Sequence, residues 1–259
     1  MNTLKQHIEK KFSRAADSYN GVAKVQKMAI DMTLEVLDQH DLTVRRVLDL
    51  GSGTGLARQQ LMRRFGSEAY YALDLSHAML RYAQQQDASK VNAICADIEH
   101  LPIMNEAISV MFSTSTLQWC KNLSTLLLDL KRAITPDGLF VFSTFGPNTL
   151  IELRHAFAQV DSGQHVQSFP SQQALSSALQ EAGFRRICLQ SSDCVIQYSH
   201  PLQLLRDIKA AGANYHSGGA VGCYGKAKFA RMLEHYPCYD DNPEIFPATY
   251  EVIYGCARP

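Results

Sequence analysis

Apolar positions along this chain switch between two rhythms. Through residues 1–45 the rhythm is helical: Ile8, Phe12, Ala15, Ala16, Tyr19, Val22 and Ala23 recur at steps of three and four, with Gly21 interrupting. Met28, Met32, Leu34 and Leu37 carry a second amphipathic stretch. Beyond it, short β-forming runs alternate with helical segments. Val47–Leu50, Ala69–Leu73, Val91–Cys95, Ile108–Thr114 and Leu139–Ser143 predict five strands. Ser76 is placed to cap a helix running to Gln86, and Leu123, Leu126, Leu127, Leu130 and Ile134 form a core-facing helical stripe. Thr135-Pro136-Asp137-Gly138 reads as a turn, and Thr149 with Glu152 stands at capping-box spacing for a helix after the fifth strand. Leu175 and Leu179 mark a further helix, leading through Ala182-Gly183-Phe184 into a sixth strand. Pro201–Asn214 and Gly225–Tyr236 predict two more helices before a last strand, Phe246–Cys256. This order predicts an α/β fold in a single domain: a helical segment at 1–45, a core at 46–200, a helical insertion at 201–245 and the last strand at 246–259.

Composition narrows the partners. The 25 Lys and Arg balance 25 Asp and Glu, so no global field draws the chain to nucleic acid or to a membrane. An acidic partner must instead meet a local basic patch. Seven cysteines are dispersed without a CxxC and form no metal-ligand cluster with the nine histidines. With a polar start and no apolar run long enough for a bilayer, the expectation is a cytoplasmic protein with reduced thiols and no metal, acting as a monomer.

The chemistry gathers at Asp49-Leu50-Gly51-Ser52-Gly53-Thr54-Gly55, where a strand ends in a glycine-rich turn before a helix. Glycines let backbone approach a ligand, and a helix start presents unpaired N–H groups. Asp74 follows 19 positions after Gly55, at the end of the next strand, where a carboxylate would meet a ribose. Dinucleotide folds need a glycine where this chain has Leu56, which argues against a nicotinamide enzyme. The G-x-G-x-G pattern preceded by an acid resembles motif I of class I methyltransferases that use S-adenosylmethionine (SAM).

That resemblance implies a Rossmann-like, seven-stranded and mostly parallel sheet with helices on both faces, an N-terminal helical lid and a helical insertion before the last strand. It implies SAM contacts at Asp49, Gly51, Ser52, Gly53, Gly55, Asp74, Leu75, Met79, Ala96, Asp97, Ile98 and Ser113. Phe12-x-x-x-Ala16-x-x-Tyr19, with Ala23-x-x-Gln26 after it, resembles a methyltransferase lid, and Tyr19 is the implied catalytic lid residue. The family's usual acid before strand four and asparagine near its end are here Ser109 and Thr114.

Gln118-Trp119-Cys120, the block at 145–154, the block at 204–214 and the closing block at 247–255 are more restricted. Together they resemble the malonyl-[acyl carrier protein] O-methyltransferases of biotin synthesis. The resemblance implies a carboxyl O-methyltransferase and an acyl carrier protein as partner. Gln118, Trp119, Arg154, Arg206 and Lys209 are the candidate substrate residues, with one cation orienting the malonyl carboxylate. Arg206, Lys209, Lys226, Lys228 and Arg231 are candidates for a carrier-docking face. Two alternatives stay open at this level: a methyltransferase of a free small acid or quinone precursor, and a SAM-binding module without catalysis.

Overall fold

The computed structural model describes residues 3–66, 68–87, 91–213, 215–216, 219–220, 226–240 and 242–259. Asn214, Cys223 and Gly225, each part of a reading above, lie outside the described residues, as does the side chain of Lys226. Two helices come first, α1 (Thr3–Val22) and α2 (Lys24–Asp38). Then strands and helices alternate: β1 (Val47–Leu50), α3 (Arg58–Phe65), β2 (Tyr70–Asp74), α4 (His77–Gln86), β3 (Asn92–Cys95), β4 (Ile108–Thr114), α5 (Leu123–Ala133) and β5 (Ile134–Phe145). After β5 come α6 (Ile151–Ala158), α7 (Gln172–Glu181) and β6 (Arg185–Tyr198). The insertion carries α8 (Pro201–Ala210), a small ladder of β7 (Tyr215–His216) and β8 (Gly219–Ala220), and α9 (Lys226–Glu234) before β9 (Phe246–Arg258).

The sheet has seven strands in the order β3-β2-β1-β4-β5-β9-β6. β1 to β5 pair parallel, while β9 runs antiparallel between β5 and β6. Alternation along each strand feeds two cores. Leu48, Leu50, Met111, Phe140 and Phe142 pack on one face against Leu126 and Leu130 of α5 and Leu175 and Leu179 of α7. Val47, Tyr70, Val110 and Val141 pack on the other against Leu34 and Leu37 of α2 and Leu61 of α3.

Three local expectations change. The first break between helices falls at Ala23 (φ −76°, ψ 48°), because Gly21 remains inside α1. Ile134 and the Thr135–Gly138 turn belong to β5, where the pairing steps two residues along β4 (Ile108 to Val110) but five along β5 (Ile134 to Leu139), so the turn is absorbed as a bulge. No capping box forms at α6. Thr149 Oγ1 donates to the Glu251 carbonyl, the Glu152 carboxylate accepts from Thr249, and the N-cap is Leu150 in left-handed geometry (φ +55°). β9 runs alongside and supplies better partners than the local pair.

Candidate active site

The carboxyl ends of β1, β2, β3 and β4 converge, which is where open parallel sheets bind ligands. Gly51 N and Ser52 N both donate to Leu73 O, at 2.7 and 3.0 Å, so the glycine turn folds back over β2. Asp74 is locked beside it: Oδ2 accepts from Gly53 N at 2.8 Å and Oδ1 from Ser76 N at 2.7 Å. Ser76 caps α4 by accepting from Met79 N, as its position predicts. These bonds leave lone pairs on Asp74 for a further donor, and burial raises its pKa.

A cavity of about 630 Å³ opens over this floor. Asp74, Leu75 and Met79 form one side, Asp97 and Ile98 another, and Thr114 to Thr116 a third. Helix α1 roofs it with Lys5, Phe12 and Tyr19. Phe12 meets Trp119 edge-on at 5.4 Å and Tyr19 at 6.4 Å. Burial and the neighbouring Asp74 raise the Tyr19 pKa, keeping its phenol neutral. Lys5 bonds Asp97 at 3.0 Å and Glu99 at 2.6 Å, fastening the lid helix to the turn after β3. Burial opposes the Lys5 charge, but the bonds to Glu99 and Asp97 outweigh it and the pKa rises.

Beneath the glycine turn lies a second cavity of about 350 Å³, bordered by Tyr19, Gln26, Asp49, Ser52, Thr54 and Ser115. Three buried side-chain oxygens there, Gln26 Oε1, Ser52 Oγ and Ser115 Oγ, have no hydrogen-bond partner. Unpaired buried polar atoms are rare and costly, and three around one cavity mark a place for a polar ligand. Asp49 is 2 % exposed and accepts from the Tyr70 hydroxyl at 2.7 Å. Burial lifts its pKa to about 7, with the Tyr70 bond pulling down and the Asp74 charge adding to the rise. Acceptors around a carboxylate suit a ligand rich in donors and positive charge, which is what the amino-acid end of SAM offers.

A third, larger chamber of about 900 Å³ adjoins both. Its walls are mainly apolar, among them Val25, Phe145, Leu153, Phe169, Ile208 and Tyr250, together with Gln118 and Trp119.

Several residues expected at the site stand elsewhere. Ser113 is fully buried and donates to Leu50 O at 3.0 Å, tying β4 to β1 and not reaching a cavity. Gly55 serves packing: a Cβ there would lie 3.3 Å from Ala83 Cβ. The Ala96 side chain packs on the core below β3. Arg154 donates to Thr149 O at 3.3 Å, and Arg206 and Lys209 are exposed on α8; none of the three borders the chamber. Gln118 lines the chamber, but its amide is engaged with Ser115 O and Thr144 Oγ1. In the sequence Lys5 has no assigned role, and Gln26 stands in the lid motif without a contact of its own. A single lysine or glutamine on an amphipathic helix carries no local signal of what it meets across the fold.

This fold and these cavities define a SAM-dependent methyltransferase of class I. The family described as methyltransferase domain matches residues 48–142. The chain is 36 % identical over 254 residues to the malonyl-[acyl-carrier protein] O-methyltransferase of Halorhodospira halophila, covering 96 % of this chain and 86 % of that one. It is 35 % identical over 252 residues to the biotin biosynthesis bifunctional protein BioHC of Cellvibrio japonicus, covering 96 % of this chain and 49 % of that one. A Haemonchus contortus phosphoethanolamine N-methyltransferase 2 solved with S-adenosyl-L-methionine shares the fold at TM-score 0.60 and 14 % identity, over all of this chain and 60 % of that one. The chain belongs to the malonyl-[acyl-carrier protein] O-methyltransferase family, and it is an O-methyltransferase dependent on SAM.

A buried acid of this kind beside the cavity should give SAM binding a pH dependence. With Asp49 titrating at about 7, its ionised fraction falls from roughly three quarters at pH 7.5 to a tenth at pH 6, so the Kd for SAM should rise ~8-fold over that interval. Stability of the free protein runs the other way. A carboxyl whose folded pKa is raised binds its proton more tightly in the folded state, so lowering the pH through 7 favours folding. Calorimetric titration at both pH values checks the first effect, and Asp49→Asn should flatten it.

Proposed function

We propose that this enzyme transfers the SAM methyl to the free carboxylate of a malonyl group held as a thioester on acyl carrier protein, making the ester that primes pimeloyl synthesis for biotin. The observation that carries this reading is the apolar chamber of about 900 Å³ adjoining the cavity beneath the glycine turn. Relatives named malonyl-[acyl-carrier protein] O-methyltransferase and biotin biosynthesis bifunctional protein support the substrate.

In this reading Asp49, Ser52, Gln26 and Ser115 hold the amino-acid end of SAM, with Gly51 and Gly53 passing beneath it. Asp74 takes the ribose hydroxyls, and Leu75, Met79, Asp97 and Ile98 take the adenine. When bound, SAM supplies an electrophilic methyl: the S–CH3 bond breaks with its electrons left on sulfur, and an O–CH3 bond forms. A malonyl carboxylate is already ionised at neutral pH, so the protein moves no proton. Its work is alignment and exclusion of water, because stripping hydration from the anion raises its reactivity. Tyr19, Phe12 and Trp119 form the cover that does this.

The carrier meets the protein on the helical insertion. Arg206 and Lys209 are exposed on α8, which is tied to the lid by the bond from Ser18 Oγ to Ala210 O at 3.1 Å. Lys228 and Arg231 are exposed on α9. The protein works in the cytoplasm as a monomer; among the described residues no helix is long and apolar enough to cross a membrane.

Methyl transfer from SAM, compared on malonyl-carrier, malonyl-coenzyme A and free malonate, tests the substrate. Activity on thioesters with none on malonate is expected, and preference for malonate would overturn the reading. Reversing Arg206, Lys209 and Arg231 together to Glu should raise KM for the carrier substrate ~30-fold, from ~1 kcal/mol or less per exposed pair plus new repulsion. KM on the coenzyme A thioester should rise less, and added salt should weaken carrier binding. Equal losses on both thioesters would move the docking surface elsewhere.

A further inference from the structure

The three cavities share walls, and the shared residues locate where the methyl crosses. Tyr19 borders the two cofactor cavities. Trp119 borders the nucleoside cavity and the chamber, and Gln26 borders the chamber and the cavity beneath the glycine turn. The chamber has charged or ionisable walls too, but all stand away from this boundary. The Lys24 ammonium lies 5.6 Å from the centre of the Tyr198 ring, Asp207 is hydrogen-bonded to Tyr198, and His165 is tied to Asp161 at 2.6 Å and stacked on Phe157. Lys24, His165 and Asp207 border neither cofactor cavity. The crossing point is therefore bounded on the acceptor side by neutral hydrogen-bonding groups.

Resting on the substrate reading above, we propose that Gln26 is the residue that holds the malonyl carboxylate at the methyl, donating through its amide NH2 while its amide oxygen faces the SAM ammonium, with the Trp119 indole N–H as second donor. Gln26 lines both the chamber and the cavity beneath the glycine turn, and its buried Oε1 has no partner, so the amide has an acceptor free for a ligand donor at this boundary. An amide offers opposite polarities at its two ends, and here it stands between a cation and an anion. Neutral donors also suit the reaction. Sulfonium and carboxylate lose their charges together as the methyl moves, so a fixed cation at the carboxylate would stabilise the starting anion more than the transition state. This removes the need for Arg154, Arg206 or Lys209 at the methyl.

Charge-changing substitutions at Gln26 separate the two faces of the amide. Gln26→Glu keeps an acceptor for the ammonium and turns a donor into a repelling charge. The Kd for SAM should stay within ~3-fold while KM for malonyl-carrier rises ~30-fold or more, since a donor to the anion is lost and a like charge takes its place. Gln26→Lys should lower KM and lower kcat at least ~10-fold, the signature of an anion held too firmly. Trp119→Phe should raise KM ~10-fold with an unchanged thermal midpoint. An unchanged KM in folded Gln26→Glu, or a kcat in Gln26→Lys equal to that of the parent, would overturn the assignment. A parent enzyme inactive on malonyl thioesters would instead overturn the substrate reading.

Discussion

Replacing Tyr19 with alanine should lower turnover by about 10²- to 10³-fold while moving the thermal midpoint by only a few degrees. The two effects separate because of where the ring stands. It borders both cavities at the glycine turn, so under the proposed reading its removal would open a path for water to the methyl and loosen alignment, and misplacement near 1 Å can cost ~10²-fold. In the fold it is half-buried, packed on Ala15, Ala16 and Met79 with an edge contact to Phe12 at 6.4 Å, a type of pair worth ~0.5–1.5 kcal/mol. For a chain of this size each kcal/mol shifts the midpoint by ~2–4 °C. Tyr19→Phe should recover most of the turnover if cover and not the hydroxyl is what matters. Steady-state kinetics beside a melting curve tests this; a large drop in midpoint with near-normal turnover would return Tyr19 to the role of a packing residue.

Gly51→Ala should abolish SAM binding and cost ~3 kcal/mol or more of stability, whereas Gly53→Ala, in the same motif, should cost ~1 kcal/mol. Both glycines have positive φ, +74° and +53°, so both carry the left-handed penalty of ~1–2 kcal/mol. Space separates them. A Cβ on Gly51 would lie 2.2 to 2.8 Å from three atoms of the Thr116 side chain, while one on Gly53 meets nothing within 4 Å. Thr116 is held by its own bond to Thr114 O at 3.0 Å and borders the nucleoside cavity, so displacing it deforms the site. Thr116→Gly should restore part of the binding lost in Gly51→Ala. Calorimetry with SAM and thermal unfolding of the three variants would decide it, and equal losses at both glycines would contradict the steric account.

The sheet and the glycine turn between β1 and β2 were legible in the sequence because both are written locally. The run from Val47 to Asp74 holds strand, turn, helix, strand and acid in one stretch, and the structure places Gly53 N on the Asp74 carboxylate at 2.8 Å. Ser76 announces its cap in the same way. What stayed hidden depends on distant partners. Thr149 and Glu152 look like a local pair until β9 arrives beside them. Ser113 looks available until Leu50 O takes its hydroxyl. The bases Arg154, Arg206 and Lys209 were the natural choices for an anion, yet the chamber is bordered by other residues. Lys5 is one lysine among several on α1, and only its 92-residue reach to Asp97 gives it a role.

The position of β9 has a consequence for how the chain is made. Residues 246–258 enter the sheet between β5 and β6, so β6 has no strand to pair with until they are present. On the ribosome the parallel half can assemble early, from β1 to β5, but the edge of β5 stays bare while α6 to α9 are synthesised. That edge then closes in one late, long-range step, the kind that folds slowly and exposes strand edges meanwhile. Because Thr149 and Glu152 take their partners from Glu251 and Thr249, the segment leading into α6 settles only at that step too. The glycine turn and the cavities around it are built from the first half of the chain, yet the chamber wall at Tyr250 waits for the last strand to be translated.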